Sequence, residues 1–186
     1  MNSRALIIGM VPLVASSAHA ERLDTSSSLD SGQLSLAVEG QAASPGGHSG
    51  ALRLHQGFGL AAGYDLVFRQ ALDWSGVSPR FDGALKYTLA EPSLSRSTPG
   101  VAVWVGGGFG ESPFASVAML LDFLVAKNRR VYGGLEVVVQ RHVNLVFSGG
   151  IRFGLSRHLS WYTEAGGGFD GRGWYYVSTG PRVAVF

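Results

Sequence analysis

Large apolar residues alternate with small or polar residues along most of the chain after residue 33. The clearest stretch is 143–155, where every second position on one side is apolar: Leu145, Phe147, Ile151 and Phe153. Successive side chains of a β-strand point to opposite faces, so a period of two predicts a strand with one apolar face. The pattern therefore predicts β-structure throughout.

The charged residues of these segments fall on the same side as the glycines and alanines. In a soluble sandwich or barrel, large apolar residues fill the interior and charges face water. A narrow barrel has little interior space, so small and charged residues pack inside it more easily while the apolar side faces lipid. A charge on the lipid face costs ~2–4 kcal/mol near the midplane. The pattern thus favours an all-β fold, a transmembrane antiparallel up-and-down β-barrel, with a soluble β-protein as the alternative.

The sequence predicts the presence of strands more directly than it predicts their number. A plain count gives ten alternating segments: 33–41, 51–60, 63–70, 80–89, 100–109, 114–125, 131–140, 143–154, 158–169 and 173–185. If each strand takes the ~9–11 residues that span a bilayer, ten strands leave few residues for connections, so eight is our primary expectation. Segment 63–70 continues the alternation of the segment before it, and Ser112-Pro113 could begin a helix over 114–125. An even count keeps both termini on the periplasmic side.

The first twenty residues have the pattern of a cleaved signal peptide. Arg4 supplies the positive end, an apolar run follows, and Ala18-His19-Ala20 is a small-x-small cleavage site. The run is shorter than the ~20 residues of a membrane helix, although a retained anchor stays an alternative. We therefore predict one barrel domain over 21–186, with residues 26–31 as a loose N-terminal lead.

Composition changes this picture little. The chain has 27 glycines, no cysteine, 15 basic and 13 acidic residues, so it is close to neutral and an unsuitable partner for nucleic acid. His48 and His55 have no partners at metal-ligand spacing, and the glycine runs 106–108 and 166–168 lack the lysine of a phosphate loop. We expect neither a metal nor a cofactor.

Five aromatic residues are expected to form girdles at the two membrane interfaces, namely Trp74, Trp104, Trp161, Trp174 and Tyr175.

The C-terminal residues Ser178 to Phe186 resemble the terminal assembly signal of bacterial outer-membrane barrels. Gly180, Val183 and Val185 match its spacing, and Phe186 supplies the closing aromatic one place later. The chain as a whole resembles the small OmpA/OmpX-like barrels. This resemblance implies the Gram-negative outer membrane as location, with outer-membrane lipid, lipopolysaccharide, the barrel assembly machinery and periplasmic chaperones as partners. It implies no particular activity.

The charges predicted to face the lumen are nearly balanced in sign. A plug braced by ion pairs, with a structural or surface-interaction role, is the favoured interpretation, because buried charges must be paired. A narrow, porin-like channel is the alternative, since a balanced network can also line a thin water path. The predicted lumen charges are Glu39, Arg53, Asp65, Arg69, Asp82, Lys86, Asp122, Glu136, Arg152, Glu164 and Arg182. We expect Arg152 to pair with Glu136 or Glu164 on an adjacent strand.

A third function is a lipid A-modifying hydrolase. His158, Ser160 and Glu164 recur at even spacing on one segment, and an imidazole near a hydroxyl and a carboxylate is a possible catalytic set. Lipid A deacylases of the outer membrane resemble this in their His-x-Ser pair, but Trp161 here follows the serine where that family has asparagine. We expect that the protein is not an enzyme, and that the strand-opening Arg-His is the simpler explanation.

Overall fold

The protein is a closed ten-stranded antiparallel β-barrel. The computed structural model describes residues 27–44, 49–73, 80–110, 112–169 and 173–185. Within these ranges no helix has the length and apolar character needed to cross a membrane. Each strand pairs with its sequence neighbours, and β10 pairs with β1 to close the sheet. The strands are β1 Leu34–Ser44, β2 Ser49–Ala61, β3 Tyr64–Asp73, β4 Arg80–Ala90, β5 Gly100–Phe109, β6 Phe114–Ala126, β7 Arg129–Val139, β8 Val143–Gly154, β9 Leu159–Phe169 and β10 Gly173–Val185.

Our primary expectation of eight strands is wrong, and the direct count of ten is right. β2 and β3 are separate strands joined by the turn Ala62-Gly63, where Gly63 has a φ of 83°. A two-residue turn alone would make even-numbered residues face outward on one strand and odd-numbered residues face outward on the other. A β-bulge between Gly59 and Ala61 adds one residue and cancels this change. Even-numbered residues therefore face outward on both strands, and the alternation passes through the turn unbroken. Residues 114–126 are a strand, not a helix.

The outer face of the barrel is apolar on every strand. Outward side chains such as Phe68, Val105, Val117 and Phe147 are 47–61% exposed. At the outward positions of the ten described strands the single charged residue is Arg129, at the start of β7. Its guanidinium lies 6.0 Å from the ring centroid of Phe153. A broad apolar band of this kind is the mark of a lipid-facing surface.

The barrel has two mouths, which we name by the chain. The terminal mouth is the end at which β1 begins and β10 ends, and it carries the turns after β2, β4, β6 and β8. The distal mouth carries the connections after β1, β3, β5, β7 and β9. The predicted signal peptide 1–20 and Phe186 lie outside the described residues.

Large side chains occupy many inner-face positions of the barrel. Trp104, Leu120 and Ala118 form one buried apolar cluster, and Phe114, Val138, Val146, Trp174 and Tyr176 form a second. The predicted girdle position is therefore wrong for Trp104 and Trp174, which are 1% and 6% exposed on the inner face. Trp161 and Tyr175 do point outward, and Trp74 lies outside the described residues. Barrel diameter grows with strand number, so ten strands enclose space that aromatic rings can fill.

Candidate functional site: the lumen

The strand alternation brings all eleven predicted lumen charges to the inner face. Asp82, Arg152 and Arg182 are partly buried there. The remaining eight are at most 6% exposed: Glu39, Arg53, Asp65, Arg69, Lys86, Asp122, Glu136 and Glu164. An ionised group in such a place must be compensated by an opposite charge or by hydrogen bonds.

Ion pairs join several of these charges. Lys86 Nζ lies 2.8 Å from Asp65 Oδ2, and both side chains are completely buried. Arg69 Nε pairs with Asp82 Oδ1 on the adjacent strand. The barrel thus places opposite charges next to each other across β3 and β4.

Three further pairs involve basic residues outside the predicted set. Arg130 Nη1 lies 3.2 Å from Asp122 Oδ2, Arg80 Nε lies 3.7 Å from Asp82 Oδ2, and His55 Nε2 lies 3.4 Å from Glu39 Oε2. Arg80 is the first residue of the predicted segment 80–89 and shares parity with Asp82, so the alternation already placed it on the inner face. Arg130 lies one residue before the predicted segment 131–140, and β7 begins earlier, at Arg129.

Residues 27–33 enter the terminal mouth and contact the lumen ion pair. Lys86 Nζ donates to Ser27 O at 2.8 Å, and the Leu29 amide donates to Asp65 Oδ1 at 3.0 Å. The Ser28 amide and hydroxyl both donate to Glu91 Oε1 at 3.0 Å. The described part of the predicted loose lead is therefore bound in place. The contacts with Asp65, Lys86 and Glu91 join residues that are far apart in the sequence, which is why the local sequence did not reveal them.

Aromatic residues are part of the polar network, and the sequence analysis did not assign them to it. Tyr162 OH donates to Glu39 Oε2 at 2.7 Å, and Tyr176 OH donates to Glu164 Oε1. The Arg69 guanidinium lies 4.2 Å from the Trp104 ring centroid, a cation–π distance. Inner-face parity was the available signal for the two tyrosines, because Tyr162 shares parity with Glu164 on β9 and Tyr176 shares parity with Arg182 on β10. β5 has no charged residue, so Trp104 had no such signal.

Strand register decides between the two acids proposed for Arg152. Arg152 lies opposite Arg130 on β7 and opposite Tyr162 on β9. Glu164 is opposite Gly150, two residues along β8 from Arg152, whereas Glu136 is opposite Val146, six residues along it. At ~3.3 Å per residue, Glu136 is about 20 Å away along the strand, which leaves only Glu164 within reach.

The proposed hydrolase residues are not assembled as a triad. His158 lies in the turn before β9, Ser160 is partly buried on the inner face, and Glu164 is buried deeper. At ~3.3 Å per residue, Glu164 is about 20 Å along the chain from His158, so its carboxylate cannot orient that imidazole. Within the described ranges no group of three or more His, Asp or Glu residues could hold a metal ion.

The C-terminal segment forms the seam that closes the barrel. Val183 and Val185 face outward on β10 and pair with Leu36 and Leu34 of β1. Gly180 faces inward, and a Cβ there would lie 1.9 Å from Val38 O. The cross-strand residue pairs of this seam are interrupted at Gly180 and Pro181, and Pro181 has no amide hydrogen to donate.

Comparison with known proteins shows similarity in fold only. No protein-family model matches the chain, and no curated protein matches its sequence. The NanC porin is similar in structure with a TM-score of 0.57 and 9% identity, over 80% of this chain and 98% of that one. The KdgM porin in complex with disordered oligogalacturonate gives 0.52 and 10%, over 83% and 99%. The N-terminal β-barrel domain of Pseudomonas aeruginosa OprF gives 0.43 and 9%, over 84% and 100%. The similarity to NanC and KdgM shows that the chain has the closed β-barrel fold of these porins.

Proposed function

We propose that this protein is a bacterial outer-membrane barrel with a side-chain-filled lumen and a structural or surface-interaction role. The apolar outer face supports the location, because hydrocarbon is the solvent that such a surface requires. The even strand count puts both chain ends at the terminal mouth, which supports a periplasmic position for that mouth. Outer-membrane lipid and lipopolysaccharide are its proposed surroundings, reached through the barrel assembly machinery and periplasmic chaperones after removal of the signal peptide.

The observation that carries the structural role is the completely buried Lys86–Asp65 pair. Both side chains lie inside the barrel and are 0% exposed. Residues 27–33 contact both of them from the terminal mouth. Further toward the distal mouth, Trp104 and Leu120 are also inaccessible to water. A conducting pore needs a continuous aqueous path, and these buried side chains occupy the interior through which that path would run.

Conductance in planar bilayers tests this proposal. The native barrel should give no stepwise current, whereas Trp104→Ala combined with Leu120→Ala should open small steps by removing inner side chains. Val105→Ala is the matched control, because Val105 adjoins Trp104 on β5 but is 61% exposed on the outer face. Gel mobility without heating verifies that each variant is folded. Stepwise currents from the native protein would refute the filled lumen.

Location is tested separately by cell fractionation. The protein should sediment with the outer membrane and migrate anomalously on gels unless it is heated, as a folded membrane barrel does. Recovery as a soluble periplasmic protein would refute the location and favour the soluble alternative.

A narrow channel is the second candidate, and one observation favours it. Buried polar atoms of Gln41, Ser116, Asn144 and Ser178 have no hydrogen-bond partner within the described residues. Buried polar groups usually bind ordered water when protein partners are lacking. All four lie in the half of the barrel toward the distal mouth, where a thin hydrated path could begin. The conductance experiment distinguishes the two candidates.

A further inference from the structure

The terminal mouth contains a cavity of about 580 Å³ whose charged lining has a single sign. Ligand pockets typically have volumes of ~300–1,000 Å³. Ser27, Ser28 and Leu29 of the N-terminal segment form part of its wall, and among the described residues that line it there is no aspartate or glutamate. Its lysine and arginine residues are Lys127, Arg130, Arg152, Arg157 and Arg182, and His158 also lines it.

These cations come from separate parts of the chain. Arg130 lies on β7, Arg152 on β8 and Arg182 on β10, and all three occupy inward positions. Lys127 and Arg157 lie in the turns β6–β7 and β8–β9 at the rim. The closed meander places β7 to β10 side by side, so an arc of positive charge forms on one side of the mouth.

The strand register places two like charges directly opposite each other. Arg130 and Arg152 are cross-strand partners on the inner face, an arrangement that is destabilising for like charges. Asp122 Oδ2 lies 3.2 Å from Arg130, but Asp122 is fully buried below the cavity and does not line it. An anion held in the cavity would be attracted by the basic side chains of Lys127, Arg130, Arg152 and Arg157 together.

We propose that the terminal mouth binds a phosphate-bearing anion of small-molecule size. Guanidinium groups present planar pairs of donors that match phosphate oxygens, and four arginines line this cavity: Arg130, Arg152, Arg157 and Arg182. Asn128, Ser156 and Ser160 add neutral donors to the lining. A phosphate ester carries nearly two negative charges at neutral pH, so a compound with more than one phosphate matches the charge of the lining best.

The phosphate belongs to a dissolved compound and not to a membrane lipid. Gly154, Ser160, Arg152, Arg182 and Ala184 line the cavity from inward strand positions, and Leu159 at the first position of β9 has the outward parity. The cavity therefore opens along the barrel axis, away from the hydrocarbon. This proposal does not depend on whether the lumen conducts, because the site lies at the mouth.

Calorimetric titration with inorganic tripolyphosphate tests the site, with the full mature barrel held in phosphatidylcholine nanodiscs. Lys127→Gln combined with Arg157→Gln should weaken binding about tenfold or more, because it removes two charge-assisted donors. Both residues are exposed in turns, so the barrel should fold normally. Arg96→Gln with Arg129→Gln is the matched control: it removes the same charge from the same end of the barrel at residues that do not line the cavity.

The control should bind tripolyphosphate as the native barrel does. Equal weakening in both double variants would mean diffuse attraction to a positive surface and would overturn the site, as would absence of binding by the native barrel. A second arm repeats the titration in nanodiscs that contain phosphatidylglycerol. Unchanged affinity supports a dissolved ligand. Competition specific to phosphatidylglycerol would assign the site to a lipid headgroup and overturn the proposed source.

Discussion

The closing seam between β1 and β10 offers a sharp test of the structure, at Gly180. A Cβ at this position would lie 1.9 Å from the carbonyl oxygen of Val38 and 2.8 Å from the Cα of Glu39. Both are backbone atoms, so no side-chain rotation can relieve the contact. Gly180→Ala must therefore push the two strands apart at the place where the barrel closes.

The expected cost follows from this geometry. An ordinary contact requires a separation of about 3.4 Å or more, so the strands must move by over an ångström. Overpacking in a fixed structure costs about 1–3 kcal/mol, and each backbone hydrogen bond lost in lipid costs several more. We expect Gly180→Ala to lower the free energy of unfolding by about 3 kcal/mol.

Gly40→Ala is the matched control. Gly40 lies on β1 in the same seam, opposite Thr179, and nothing lies within 4 Å of its added Cβ. Gly40→Ala should change the free energy of unfolding by no more than about 0.5 kcal/mol. Replacing glycine by alanine also reduces the conformational entropy of the unfolded chain, and this stabilising effect is the same in both variants.

Urea unfolding of barrels refolded into lipid vesicles, followed by tryptophan fluorescence, measures both variants. In cells, the fraction that migrates as folded barrel on unheated gels should fall for Gly180→Ala and remain native for Gly40→Ala. If Gly180→Ala matched the native protein, or if the two variants were equally damaging, the described register of the closing seam would be wrong.

Three further predictions concern the outer face, the lumen and the chain end. Phe147→Arg, at a lipid-facing position that is 48% exposed, should cost about 2–4 kcal/mol and reduce folding into vesicles, while Phe147→Leu should be tolerated; equal tolerance would contradict the face assignment. Lys86→Met should cost about 3–5 kcal/mol in urea unfolding by leaving Asp65 buried without its cation, and Lys86→Met with Asp65→Leu should recover most of that loss. A neutral single variant would show that the pair is not dry. Deletion of Phe186 should reduce the amount assembled in the outer membrane without changing the melting of refolded protein, and normal assembly would remove support for the terminal signal.

Local alternation was sufficient to predict the faces of the strands. Leu34, Leu36 and Val38 point outward and Ser35 and Glu39 inward, as their spacing required. This succeeds because side-chain direction in a strand depends only on position parity, and lipid excludes charge from one face. Counting strands was harder, because the turn at Ala62-Gly63 and the adjacent bulge together preserve the parity.

The sequence by itself thus determined the β-structure, the outward and inward residues and the ten alternating segments. Only the tertiary structure decided what meets inside the barrel. Closing ten strands made room for Trp104 and Tyr176, brought Ser27 to Lys86 across 59 residues, and placed Arg130 opposite Arg152. Such contacts depend on barrel diameter and strand register, which are properties of the closed sheet as a whole and leave no mark in any single segment.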